Sequence, residues 1–81
     1  MLTGEKVISP FQGEVLKILC EPSAWIDQWE TLLLIKTESG IEEVIMEHYG
    51  RVEQIWVSEG DYILPGMVLA QIRCKKEEEI E

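Results

Sequence analysis

The sequence predicts an all-β domain, a sandwich or barrel built from short strands. Two observations lead to this fold class. The second half of the 81-residue chain repeats the first half at a fixed offset of 37 residues, and short β-branched segments alternate with turn signals. The only stretch of helix-like composition is the acidic C-terminus, which has no apolar face.

The internal repeat runs from residue 7 to residue 35 without a gap. The pattern G-x-V-x-x-I at 13–18 recurs at 50–55, and the other matched positions are apolar. These are Val7/Val44, Ile8/Ile45, Ile26/Ile63, Leu32/Leu69 and Ile35/Ile72. One copy cannot bury its apolar side chains alone. We therefore expect two copies, related by an approximate two-fold axis, to pack against each other.

The first copy predicts three strands. Val7-Ile8 forms the first and stops before the loop at 10–13, which begins with proline. The second covers residues 14–20 and ends at the turn Glu21-Pro22-Ser23. The third, at 31–37, is a continuous apolar run, which is typical of a buried strand.

The second copy predicts three more strands, at 41–46, 51–57 and 68–73. Glu59-Gly60-Asp61 and Leu64-Pro65-Gly66 supply the turns between the last two.

Composition limits the class of protein. The length fits one domain, which we place at residues 1–76 with an acidic tail at 77–81. No apolar run approaches the roughly 20 residues of a membrane span, and no secretory segment is evident, so we expect a cytoplasmic protein. The net charge of −9 argues against binding to nucleic acid or to anionic membranes.

Candidate chemistry is sparse. Cys20 and Cys74 are expected to be free thiols, and with His48 as the only histidine they match no metal-ligand spacing. Glu42 and Glu43 are adjacent in a strand and point to opposite faces, which makes them a poor acid/base pair. We therefore predict neither a metal site nor an enzyme.

The spacing of the second half, G-x-V-x-x-I-x-V-x-x-G-D-x-I-x-x-G-x-x-L-x-x-I over residues 50–72, resembles the biotinyl/lipoyl attachment (carrier) domain family. The V-x-S-P-F-x-G-x-V pattern at 7–15 resembles its first half. The resemblance implies a flattened eight-stranded barrel-sandwich hybrid made of two pseudo-symmetric sheets. It also implies structural turn residues, which are Gly13, Gly50, Gly60, Asp61 and Gly66.

The family carries biotin or lipoate on a lysine at the tip of the central hairpin. The corresponding position here, within Glu38-Ser39-Gly40, is Ser39, which cannot form the amide. The nearest lysine is Lys36, which is the alternative attachment site. We expect the lysine to be dispensable for folding, so that Met-Lys-Met at 38–40 would change stability by less than roughly 1 kcal/mol.

Both copies depart from the family in other places, the first at 23–24 and 29 and the second at 46–47. Ser23-Ala24 stands where the family often has Gly-Asp, Trp29 stands where it often has Gly, and Met46-Glu47 replaces a common Ala-Pro. These differences keep the fold plausible but disfavour a standard carrier.

Tryptophans suggest a contact surface. Trp56 lies between Ile55 and Val57, so strand alternation turns it outward, and its repeat equivalent is Leu19. We take Leu19, Trp56 and Trp25 as a candidate interface; the alternative is that tryptophans plug the ends of the barrel.

The sequence thus favours a non-catalytic biotinyl/lipoyl-like domain without the attachment lysine and without a cofactor, acting as an interaction or assembly module. The partner would be a protein, of the kind found in carboxylase or dehydrogenase complexes, and a homodimer is left open. The alternative is a carrier with biotin or lipoate covalently bound to Lys36.

Overall fold

The computed structural model describes residues 2–75, which form eight strands and no helix. The strands are β1 (Leu2–Ile8), β2 (Gly13–Ile18), β3 (Trp25–Ile26), β4 (Thr31–Thr37), β5 (Gly40–Ile45), β6 (Gly50–Ile55), β7 (Tyr62–Ile63) and β8 (Val68–Lys75). They make two four-stranded antiparallel sheets, ordered β1-β8-β6-β3 and β5-β4-β2-β7. The predicted eight-stranded all-β sandwich is confirmed.

The two sheets are copies of each other. An offset of 37 residues relates β2 to β6 and β3 to β7, and it relates the edge strand β1 of one sheet to the edge strand β5 of the other. Backbone hydrogen bonds in the loops obey the same rule. Ser9 N–H donates to the Met67 carbonyl at 2.8 Å, and Met46 N–H donates to the Glu30 carbonyl at 2.8 Å. The sequence repeat is therefore a structural pseudo-two-fold.

The core lies between the sheets. Its members come from equivalent positions of both copies, and they are Val15, Cys20, Ile26, Leu32, Leu33, Ile35, Val44, Met46, Val52, Val57, Ile63, Leu69, Ala70, Ile72 and Cys74. A register shift in β4 and another in β8 leave an extra residue on each of these strands. Because of this bulge, consecutive residues can both face inward, as Leu32 and Leu33 do.

The predicted strand bounds need correction at several ends. The strand at 31–37 matches β4, and the others are displaced by one or two residues, except that β1 begins at Leu2 instead of Val7. Pairing with β8, not local composition, extends β1. The two-residue strands β3 and β7 were not among the predicted segments, because such short pairings leave no periodic signal.

Gly13 and Gly50 begin strands and do not occupy turns. A Cβ on Gly13 would lie 2.1 Å from the Lys36 carbonyl oxygen, and one on Gly50 would lie 2.8 Å from Ile72 Cγ2. These glycines are needed because neighbouring backbone and side chains approach closely, not because of a positive φ.

Gly60 and Gly66 lie in turns with φ of 98° and 92°. Their repeat equivalents keep this left-handed backbone without glycine: Ser23 has φ 76° and Trp29 has φ 73°. In the second copy, Asp61 Oδ2 also accepts a hydrogen bond from Ser58 N–H at 2.8 Å. The duplicated turns therefore impose glycine-type geometry on two residues that disfavour it.

The proposed tail at 77–81 lies outside the described residues. Within residues 2–75 no helix is long and apolar enough to cross a membrane.

Candidate functional site

The tip of the β4–β5 hairpin is a two-residue turn made of Glu38 and Ser39. Thr37 and Gly40 pair at its base. The Thr37 hydroxyl accepts a hydrogen bond from Ser39 N–H at 3.1 Å and donates one to the Gly40 carbonyl at 2.9 Å. The exposed tip offers a carboxylate and a hydroxyl, but no amine.

The backbone conformation of Gly40 argues against the expectation that Met-Lys-Met would be tolerated at 38–40. Its φ is 127°, a backbone conformation that side-chain-bearing residues rarely adopt. The space around its Cα is open, so the obstacle to a Met at this position is backbone strain and not a clash. A lysine at position 39 avoids that strain because Gly40 is kept.

Lys36 lies on the outer face of its sheet, inside β4. Ile35 before it is fully buried, whereas Lys36 is exposed and sits between Glu14 on β2 and Ile41 on β5. Its ammonium group makes no hydrogen bond or ion pair among residues 2–75. The amine is accessible, yet it projects from the body of a sheet and not from the hairpin tip.

An open groove runs beside this tip. Gln12, Glu14, Lys36, Glu38 and Tyr62 contribute to its lining. Gln12 Nε2 donates a hydrogen bond to the Tyr62 hydroxyl at 2.9 Å, which holds one side of the groove.

Leu19 and Trp56 occupy equivalent places just after β2 and β6. Leu19 is 46% exposed and Trp56 is 47% exposed. Leu19 N–H donates to the Leu32 carbonyl and Trp56 N–H to the Leu69 carbonyl, both at 2.8 Å, so each is fixed to its own sheet. The indole N–H of Trp56 donates to Gln54 Oε1 at 2.6 Å. The fold therefore displays two symmetry-related apolar side chains on different sheets.

Trp25 does not join Trp56. It pairs with Arg51 near the start of β6, five residues before Trp56, which corresponds to about 16 Å along an extended strand. Its ring stacks on Tyr49 instead, with centroids 5.2 Å apart and an interplanar angle of 13°.

Sequence reasoning missed the Trp25–Tyr49 stack. The repeat contained the signal, because Tyr62 is the equivalent of Trp25 and Gln12 is the equivalent of Tyr49. The two pairs of residues are therefore equivalent in the repeat. A hydrogen bond joins Gln12 and Tyr62, whereas ring stacking joins Tyr49 and Trp25.

The cysteines are poor nucleophiles in this setting. Cys20 and Cys74 are both buried, and no disulfide joins them. Burial raises the pKa of the Cys20 thiol. No group of three or more His, Cys, Asp or Glu side chains among residues 2–75 could hold a metal ion.

Two solved structures with this architecture are carboxylases. A single-chain, multi-domain long-chain acyl-CoA carboxylase matches 95% of this chain with a TM-score of 0.84 and 12% sequence identity. The urea carboxylase of Kluyveromyces lactis matches 86% of it with a TM-score of 0.80 and 20% identity. The fold is that of a biotinyl domain.

The likeness at these identities concerns the fold alone. The chain spans 8% and 6% of the length of these two enzymes. No protein-family model matches the sequence, and neither does any curated protein.

Proposed function

We propose that this chain is a non-catalytic biotinyl/lipoyl-like domain that carries no acyl group and acts as an interaction or assembly module. The proposal rests on the tip of the β4–β5 hairpin, which is made of Glu38 and Ser39 and contains no lysine; we take this tip as the equivalent of the family's attachment site. Thr37 and Gly40 keep the hairpin in shape without that lysine.

The partner we propose is a component of a carboxylase- or dehydrogenase-type complex. The support is the architecture shared with two carboxylases. The contact would use the exposed side chains of Leu19 and Trp56, with Trp25 and its stacked Tyr49 as a separate aromatic element. Half-exposed aromatic side chains on rigid strands lose little conformational entropy on binding, which suits an interface.

A second candidate is a carrier acylated at Lys36. It rests on the exposure of that side chain and on its position one residue before the base of the turn. Against it stands the orientation of Lys36, which places the amine over the face of a sheet between Glu14 and Ile41.

The experiment is affinity capture with the tagged chain from its native host. Leu19→Ser/Trp56→Ser should lose the captured carboxylase- or dehydrogenase-type component while melting within a few degrees of the unsubstituted chain. Peptide mapping of the bait should find the hairpin and Lys36 unmodified. Lys17→Ser, a change of an exposed polar residue on β2, is the control and should retain the component.

Unchanged capture by the double variant would exclude Leu19 and Trp56 as the contact. An acyl group on Lys36 would instead establish the carrier.

A further inference from the structure

Each sheet ends in a two-residue strand on one side, β3 or β7, and in a long edge strand on the other, β1 or β5. β1 and β5 are each hydrogen-bonded to one neighbouring strand only. Alternate residues of an antiparallel strand direct their backbone groups to the same side. Met46 N–H donates toward the β4 side and Ser9 N–H toward the β8 side. Counting back by twos, the backbone groups that face outward belong to Ile41, Glu43 and Ile45 on β5 and to Gly4, Lys6 and Ile8 on β1.

β1 and β5 lie on the same side of the domain, where both line one groove. Their Cα atoms stay more than 8 Å apart, so the strands are not paired within one molecule. The groove has a volume of about 340 Å³, and Val7, Phe11 and Val44 contribute apolar surface to it. Ile8 and Ile45 stand beside it, 45% and 41% exposed. The outward-facing backbone groups of the edge strands and the exposed apolar side chains therefore occur on the same side of the domain.

Charge distinguishes the two edges. Lys6 on β1 and Glu43 on β5 occupy equivalent positions of the repeat and carry opposite charges. The Lys6 ammonium group makes no hydrogen bond or ion pair among residues 2–75, and the Glu43 carboxylate accepts only the Thr31 hydroxyl, at 2.7 Å. The two edges thus carry opposite charges at one equivalent position, whose backbone groups face outward.

We propose that β1 of one copy pairs antiparallel with β5 of a second copy, and β5 with β1, to form a two-fold dimer with two continuous eight-stranded sheets. In the register centred on Lys6, this residue lies opposite the partner's Glu43. Ile8 lies opposite the partner's Ile41, and Gly4 opposite the partner's Ile45. All three pairs join residues whose backbone groups face outward, so each pair can exchange both N–H···O bonds.

The alternative two-fold arrangement pairs each edge with its own copy. It would set Lys6 against lysine and Glu43 against glutamate, and like charges directly opposite in a sheet are destabilising. The proposed pairing also lets the two apolar grooves cover one another. This inference concerns a side of the domain that the proposed function does not use.

The test is charge reversal followed by mixing. The unsubstituted chain should be dimeric in sedimentation at moderate ionic strength. Lys6→Glu alone and Glu43→Lys alone should each raise the dimer Kd by roughly tenfold or more, because both edges of the dimer then oppose like charges. An equimolar mixture of the two variants should form heterodimers, since each contact again joins opposite charges. The double variant Lys6→Glu/Glu43→Lys should also dimerise, because exchanging the two charges again sets opposite charges against each other at both contacts.

Matched controls are Lys17→Glu and Glu21→Lys, which change net charge equally at exposed positions away from both edges. Melting temperatures verify that each variant is folded. A monomeric unsubstituted chain would overturn the proposal, with Lys6 and Glu43 then serving to keep the edges apart. Single variants that dimerise normally, or folded variants that fail to associate on mixing, would overturn it as well.

Discussion

Trp29 is the residue whose own chemistry conflicts most with its position. Its backbone has φ 73° while its side chain is 62% exposed, so little burial offsets the strain. The repeat explains the conformation, because Gly66 occupies the equivalent turn with φ 92° and makes the equivalent hydrogen bond. Left-handed backbone costs a non-glycine residue about 1–2 kcal/mol.

Trp29→Gly should therefore stabilise the protein, by roughly 1 kcal/mol in chemical denaturation, because the turn geometry is kept and the strain is removed. Trp29→Ala is the control, since it removes the same ring but keeps a Cβ. A gain from Trp29→Ala equal to that from Trp29→Gly would assign the effect to the ring and contradict the backbone argument.

The same residue shows what sequence can predict at this scale. Trp29 was recognised as a departure from glycine, but composition could not tell whether the turn would relax or keep its left-handed form. The fold keeps it, because Trp29 N–H must reach the Met46 carbonyl at 2.7 Å. The outward direction of Trp56, in contrast, is predicted from strand alternation, and its 47% exposure agrees with the prediction although β6 ends at Ile55.

At the scale of elements, the contact between β2 and β4 depends on Gly13. The Lys36 carbonyl oxygen would be 2.1 Å from a Cβ at this position, and a backbone carbonyl can move only if the strand moves. Gly50, its equivalent in β6, meets Ile72 Cγ2 at 2.8 Å and the Arg73 carbonyl oxygen at 3.0 Å. The two copies are thus packed unequally at matching positions.

Gly13→Ala should destabilise the fold by about 3 kcal/mol. Gly50→Ala should cost less, because its tightest contact is 2.8 Å to Ile72 Cγ2, compared with 2.1 Å to the Lys36 carbonyl oxygen at Gly13, so smaller shifts relieve it. Gly4→Ala serves as the control: its nearest neighbour is Gln71 Nε2 at 2.9 Å, the end of a flexible side chain, so its effect should be within about 0.5 kcal/mol. Urea titrations measure the free energy of unfolding of each variant. Equal losses for Gly13→Ala and Gly50→Ala would contradict the claim that the two positions are packed unequally.

Element prediction worked where a strand carries its own apolar pattern. The run at 31–37 matches β4, whose partners on both sides bury it. β3 and β7 depend on pairing with β6 and β2, and β1 depends on β8 over Leu2–Ile8, so their extents come from tertiary contacts. The hairpin tip was located from the repeat, but the φ of 127° at Gly40 had no signal beyond the glycine itself.

For the whole molecule, duplication explains the architecture, and the differences between the copies are the places where function can be sought. Equivalent positions hold Lys6 and Glu43, Trp25 and Tyr62, or Trp29 and Gly66. None of these changes disturbs the shared hydrogen bonds of the loops. The central hairpin joins the two copies, and the proposed function depends on its tip, Glu38 and Ser39, carrying no acyl group.

The most direct measurement of that claim is the intact mass of the protein after co-expression with a biotin ligase and a lipoate ligase. The unsubstituted chain should show neither acyl adduct. Ser39→Lys, which retains Gly40 and its φ of 127°, should be acylated at least in part, which would show that the hairpin is otherwise competent. An adduct on the unsubstituted chain, mapped to Lys36, would contradict the account.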